Sequence, residues 1–139
     1  MIPQLTLRLL GLAGGGPGPI DLPIQGTGTE TRSFVYIDDL VDGVACVLAK
    51  GEHLNIYHVG TEDEITIAAL AVKIGAACGV AVRPVPSAPA AGGTPRRCPD
   101  ISKLRRLGYA PRVPLDAGLA KTVAWYREHS SPALGRATR

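Results

Sequence analysis

Aromatic side chains are scarce in this sequence, with one Phe, one Trp and four Tyr among 139 residues. A core built from it is aliphatic, and the rings on which nucleic-acid bases would stack are too few to suggest such a partner. Long apolar runs are missing as well, because no stretch approaches the ~20 residues needed to cross a bilayer. The opening segment from Met1 to Leu12 lacks a basic leading region, and Arg8 interrupts its apolar run, which argues against a signal peptide. Neither sign of charge dominates, since 15 Lys and Arg face 12 Asp and Glu for a net charge of +3. The basic residues are scattered except between Arg96 and Arg112, a pattern that favours a local anion site over a nucleic-acid surface.

Cys46, Cys78 and Cys98 are odd in number and widely spaced, and two of them fall on apolar helical faces. That is the pattern of buried free thiols in a reducing cytoplasm, not of a disulfide framework. His53, His58 and His129 are far apart with no HxH or HxxH spacing, so no metal site is expected. Ser33, Ser87 and Ser102 lack the context of a nucleophile elbow.

What is present is a globular pattern, 45% hydrophobic, cut by 17 Gly and 12 Pro into short elements. Ile2, Leu5, Leu9 and Leu12 predict a helix, with Pro3 in its first turn. The loop from Gly14 to Pro19 is rich in glycine, but no Lys-Ser/Thr follows it, so a phosphate-loop reading is weak. Leu22–Gly26 and Ser33–Ile37 predict two strands lying side by side. Asp38-Asp39 is expected to cap a helix with Leu40, Val41, Val44, Val47 and Leu48 on its apolar face, leaving Asp42 solvated. Further on, Asn55–Val59 and Val80–Val85 read as strands around a helix carrying Ile67, Leu70, Ala71, Ile74 and Cys78, closed by Gly79. Pro84–Pro95 reads as an irregular loop. Asp100 is placed to cap a short helix bearing Ile101, Leu104 and Leu107, and a last helix begins near Pro114. Residues 1–129 form one unit in this reading and 130–139 a frayed tail.

Arg32 has Phe34 and Tyr36 at alternate positions, so a strand would place all three side chains on one face. On spacing alone, a strand arginine of this kind is more often a surface residue than an anion clamp. Arg96 and Arg97 lie in a loop before Pro99-Asp100, and paired loop arginines are usually just solvated. If that loop folds back on the strand of Arg32, two guanidiniums could grip a pyrophosphate from opposite sides.

Several phrases, taken in order, resemble the C-terminal half of the NAD-dependent nucleotide-sugar epimerase/dehydratase family, the extended short-chain dehydrogenases. They are Ile2-Pro3, Leu22-Pro23-Ile24-Gln25-Gly26-Thr27-Gly28, and Thr31-Arg32-Ser33-Phe34-Val35-Tyr36-Ile37-Asp38-Asp39-Leu40. Tyr57-His58-Val59-Gly60, Arg97-Cys98-Pro99-Asp100-Ile101-Ser102-Lys103, Leu107-Gly108-Tyr109-Ala110-Pro111 and Trp125-Tyr126 continue the series. The decarboxylase and 4,6-dehydratase branches, those of UDP-glucuronate decarboxylase and dTDP-glucose 4,6-dehydratase, look nearest. The resemblance implies an α/β fold, the substrate lobe of the family, with a small mixed sheet, about five helices and no Rossmann half. It implies that Arg32 and Arg97, and with them Arg96, contact the diphosphate of a nucleotide sugar. Ile24 and Gln25 correspond to the strand beside the nucleobase.

The resemblance also implies what these residues do not carry. The family places NAD on a GxxGxxG turn and its proton chemistry on Tyr-x-x-x-Lys. Here Tyr36, Tyr57, Tyr109 and Tyr126 are followed four residues later by Leu40, Thr61, Val113 and Ser130. The expectation is therefore a binding lobe with no catalytic residue and no cofactor of its own, NAD belonging to the complete family enzyme. It would be a truncation, one part of a split enzyme, or a decaying fragment without function. The alternative is a non-catalytic interaction or regulatory module that pairs with a Rossmann-half partner or a full-length relative.

Overall fold

A computed structural model describes residues 1–12, 18–89 and 92–130. The chain starts in α1 (Ile2–Leu12), as its apolar spacing predicts. Thr6 and Leu9 are its fully buried residues, and Ile2 and Leu5 pack beside them. Leu12, expected on the same face, is exposed.

β1 (Ile20–Gln25) alternates as a half-buried strand should, with Leu22 and Ile24 inward and Asp21, Pro23 and Gln25 outward. It pairs in parallel with β4 (Val82–Ser87), Ile20 opposite Val82 and Gln25 opposite Ser87. Two expectations are corrected here. The predicted strand Val80–Val85 is shifted toward the C-terminus and includes Pro84 and Pro86, which a strand with one ladder neighbour tolerates at its open edge. Nor does β1 lie beside the strand of Arg32. The intervening turn has Gly26 and Gly28 at φ of 83° and 87°, and the Glu30 carboxylate accepts the Thr27 and Gly28 N–H groups at 3.1 and 2.8 Å. Those bonds shape a local hook instead of a hairpin, and the next strand joins another sheet.

That strand, β2 (Thr31–Ser33), is flanked by β3 (Glu64–Thr66), antiparallel, and by β5 (Arg96–Arg97), parallel. It ends at Ser33, not Ile37, so Arg32, Phe34 and Tyr36 do not share one face. Phe34 packs on the main core, whereas the Tyr36 ring lies against Gly118 and beneath the Lys121 ammonium, 5.0 Å from the ring centroid.

α2 (Ile37–Lys50) begins after Tyr36, and no side chain caps it. Asp38 and Asp39 sit inside its first turn instead of at the cap. Asp39 is buried and accepts the backbone N–H groups of Arg112 and Val113 at 3.0 and 2.9 Å. Asp42 pairs with the Arg112 guanidinium, so it is not merely solvated. Of the predicted apolar face, Leu40 and Val47 are partly buried, whereas Val41, Val44 and Leu48 are exposed and Ile37 extends the same stripe. The predicted strand Asn55–Val59 has no ladder among the described residues; Leu54 takes a φ of 56°, and the Asn55 side chain accepts its neighbour's N–H.

α3 (Ile67–Cys78) buries all five residues predicted to face inward. The Thr66 hydroxyl caps it by accepting the Ala69 N–H at 3.2 Å, and Gly79 closes it in the left-handed conformation. α4 (Ser102–Arg106) follows Asp100, whose carboxylate accepts the Ser102 N–H, and α5 (Leu115–His129) starts after Pro114.

Two cores result. The main one joins α1, β1, α3 and α5 around Leu9, Leu22, Leu70, Ile74, Leu119 and Val123. The second sets Ile101, Leu104 and Tyr109 against Cys46 and Val47 of α2. The architecture is mixed α/β, with five helices, as expected, and two small sheets among the described residues. No described helix is long and apolar enough to cross a membrane. The glycine-rich segment from Gly14 to Pro17, part of the loop before Pro95 and the tail 131–139 lie outside the described residues.

Candidate functional site

The β2–β5 ladder brings Arg32 and Arg97 into register, each the partner of the other. Paired residues of a parallel ladder project to the same side, so the two arginines stand next to each other one strand spacing apart, about 4.8 Å. The expectation of a grip from opposite sides is corrected to two adjacent cations. Thr31 and Arg96 form the preceding pair and project to the other side. There the Arg96 guanidinium meets the Glu64 carboxylate at 2.6 Å, and Thr31 donates to the same carboxylate at 2.7 Å. The Arg96 bond, with the Thr31 bond behind it, holds the Glu64 pKa below its ordinary value. Arg96 is thus committed to a neighbour, and the structure separates it from the other two arginines.

Both facing arginines are tied to one residue. Arg32 Nη2 donates to the Thr94 carbonyl at 2.8 Å, and Arg97 Nε donates to the Thr94 hydroxyl at 2.8 Å. Arg32 Nη1 also donates to its neighbour's carbonyl, that of Thr31, at 2.7 Å. These contacts engage Arg97 through Nε, and its Nη groups have no hydrogen-bond partner among the described residues, so the terminal edge is left to make a bidentate bond to phosphate or carboxylate. Thr94 was missed by sequence reasoning, since nothing in its type or spacing marks it; the long-range β2–β5 pairing alone brings it to the site.

Arg32 and Gln25 line one cleft of about 380 Å³, floored by the Gly26–Glu30 turn and closed by Thr94 and Pro95. Arg97 lines the neighbouring cleft of about 420 Å³ with Ser33, His58, Cys98 and Pro99. The two arginines therefore stand on the divide between two open clefts. Ile24 is placed differently, because its side chain is buried in the main core and its carbonyl accepts the Ser87 hydroxyl at 2.9 Å. Its side chain backs the wall beside Gln25 and does not line the cleft.

A third cleft, of about 460 Å³, lies between β3 and the Pro111–Leu115 segment. Its Asp39 is spent on two backbone N–H groups, Lys73 on Asp116 and Arg112 on Asp42. It offers less to a charged ligand than the arginine ladder does.

The starts of α2, α3 and α5 do not fit the pyrophosphate of a dinucleotide. α3 receives the Glu30 and Gly28 carbonyls on its first N–H groups at 2.9 and 3.0 Å, in addition to the Thr66 cap. α2 and α5 carry Asp38, Asp39 and Asp116 in their first turns, which repel an anion. No group of His, Cys, Asp and Glu able to hold a metal is found among the described residues.

Comparison with known proteins agrees with this architecture. Residues 1–60 match the model of the NAD-dependent epimerase/dehydratase family. The probable GDP-L-fucose synthase 1 of Oryza sativa subsp. japonica is 35% identical over 109 residues, which cover 78% of this chain and 33% of that protein. A dTDP-glucose 4,6-dehydratase from Streptomyces venezuelae, solved with NAD bound, superposes with a TM-score of 0.76 at 38% identity, over 92% of this chain and 38% of its own. The UDP-glucose 4-epimerase of Thermotoga maritima, solved with UDP-glucose, gives a TM-score of 0.80 at 27% identity, over 94% and 40%. GDP-L-fucose synthases thus stand beside the 4,6-dehydratases that the sequence suggested. The chain spans about a third to two-fifths of the length of these relatives, and over that span its family match and its relatives are those of the NAD-dependent epimerase/dehydratase family.

Proposed function

We propose that this chain supplies the wall of a nucleotide-sugar site, with Arg32 and Arg97 holding the diphosphate and Gln25 lying toward the nucleobase. The observation that carries the reading is the in-register pair of arginines anchored on Thr94, beside the cleft that Gln25 lines. Two guanidiniums on adjacent strands match two adjacent phosphoryl groups in charge and spacing. The epimerase relative solved with UDP-glucose supports the ligand class, and relatives named for dTDP, GDP and UDP sugars leave the base open. The chain's own part is to bind and orient. Hydride transfer would be supplied by NAD held elsewhere in a complete enzyme.

Calorimetric titration with UDP and with dTDP tests this. Weak binding of one or both is expected, and Arg32→Ala should cost about 1.5 to 3 kcal/mol, the range for a hydrogen bond to a charged group. Unchanged affinity in that variant would remove the clamp role.

The exposed stripe of Ile37, Val41, Val44 and Leu48 on α2, with Leu54 and Ile56 beyond it, favours the second reading of a module that pairs with a Rossmann-half partner or a full-length relative. Binding of that partner without any affinity for nucleoside diphosphates would select it.

A further inference from the structure

Thr94 is the residue on which both arginines converge, and its backbone is held independently of its side chain. The Thr31 N–H donates to the Pro95 carbonyl at 2.9 Å, locking the segment to β2, and Pro95 confines Thr94 to extended backbone. The Thr94 carbonyl then meets Arg32 Nη2 and its hydroxyl meets Arg97 Nε, both at 2.8 Å. Arg97 is exposed, and a long side chain on a two-residue strand would otherwise sample many rotamers. The hydroxyl removes that freedom before any ligand arrives. It also selects which edge of the guanidinium is left for a ligand, because with Nε engaged the Nη pair is the edge without a partner among the described residues.

We propose that Thr94 is a positioning residue of the anion site: its carbonyl orients Arg32, its hydroxyl orients Arg97, and together they set the site for two phosphoryl groups rather than one. This rests on the diphosphate reading above. A monophosphate needs one well-placed guanidinium and is insensitive to where the second points. A diphosphate needs both at a fixed separation, so it alone feels the loss of the Thr94 hydroxyl.

The discriminating variant is Thr94→Val, which keeps the shape and the backbone carbonyl and removes only the bond to Arg97. Titrations with UDP, dTDP, UMP and dTMP should show diphosphate affinity falling roughly 3- to 10-fold, the worth of about one hydrogen bond, with monophosphate affinity and melting temperature unchanged. Thr94→Ser should restore the diphosphate affinity, which a merely structural role would not require. Equal losses for mono- and diphosphates, or no loss while Arg97→Ala weakens diphosphate binding, would overturn the positioning role and leave the site standing. Failure of the unaltered protein to bind either diphosphate would overturn the site itself, and this inference with it.

Discussion

Among the described residues, Thr6 is the one whose buried side-chain chemistry conflicts with its surroundings. It lies fully buried on the inner face of α1 beside Leu9, and its hydroxyl has no hydrogen-bond partner among the described residues. An orphaned hydroxyl in an apolar core costs roughly 1 to 3 kcal/mol, whereas the isosteric valine fills the same volume with no polar atom. Thr6→Val should therefore raise stability by about 1 kcal/mol, read as a higher midpoint in urea with an unchanged slope. A lower midpoint would mean that the hydroxyl is satisfied in solution. Arg32 and Arg96 give the opposite case, in which residues of one type separate by geometry alone. Strand alternation turns Arg96 to Glu64 and leaves Arg32 and Arg97 facing together. The sequence could name these arginines, but only the ladder register sorts them.

At the scale of elements, α2 is held by a close approach that admits no side chain. A Cβ added at Gly43 would lie 2.3 Å from Val59 Cγ1 and 3.0 Å from the Tyr109 ring, so the helix meets the second core through bare backbone. Gly43→Ala should cost about 1 to 3 kcal/mol by overpacking, despite the better helix propensity of alanine. Chemical denaturation checks this, and a stabilised variant would show that Val59 and Tyr109 yield freely. The same helix shows what local pattern can and cannot reveal. Its existence follows from periodicity, as does the whole inward face of α3, because one amphipathic helix against one core leaves its mark every third or fourth residue. Its partners do not follow. Leu48 and Val41 keep the apolar spacing yet are exposed, and Asp39, which reads as a cap, is instead the anchor for the Arg112–Val113 backbone more than seventy residues on. Strand pairing was equally hidden. β1 and β2 are neighbours in sequence but join different sheets, since the Glu30 hook between them is a side-chain effect that alternation does not encode. Of the candidate site, the resemblance points to Arg32, Arg97 and Gln25 by position in the sequence, whereas Thr94 depends on a contact across sixty residues.

Across the whole molecule, charge and burial limit stability at opposite ends of the pH scale. Asp21, Glu30, Glu64 and Asp100 all hold protons less tightly in the folded state than in a free chain. For Asp21 the leading cause is its bond to Arg83, at 2.5 Å, which ties β1 to β4; for Glu64 it is Arg96; for Asp100 it is the Ser102 N–H. Because their folded values are depressed, the unfolded chain binds more protons as pH drops, so this stabilisation is complete above the ordinary carboxylate range and is lost through and below about pH 4. Tyr109 works the other way. Burial first, then the negative charges of Asp39 and Asp42, raise its value, and its hydroxyl donates to the Gly60 carbonyl at 3.0 Å. A raised folded value makes the native state the better proton holder, so its contribution is complete below about pH 10 and is lost as pH rises beyond that. Burial likewise pushes up the Cys78 thiol in the main core, so melting temperature against pH should form a plateau with an acid limb set by surface carboxylates and an alkaline limb begun by Cys78 and continued above about pH 10 by Tyr109. Tyr109→Phe should lower the plateau by about 1 kcal/mol for the lost hydrogen bond and flatten the limb above about pH 10, leaving the Cys78 part and the acid limb in place. A limb above about pH 10 that survives unchanged in this variant would assign it to another group and remove the second core from what gives way at high pH.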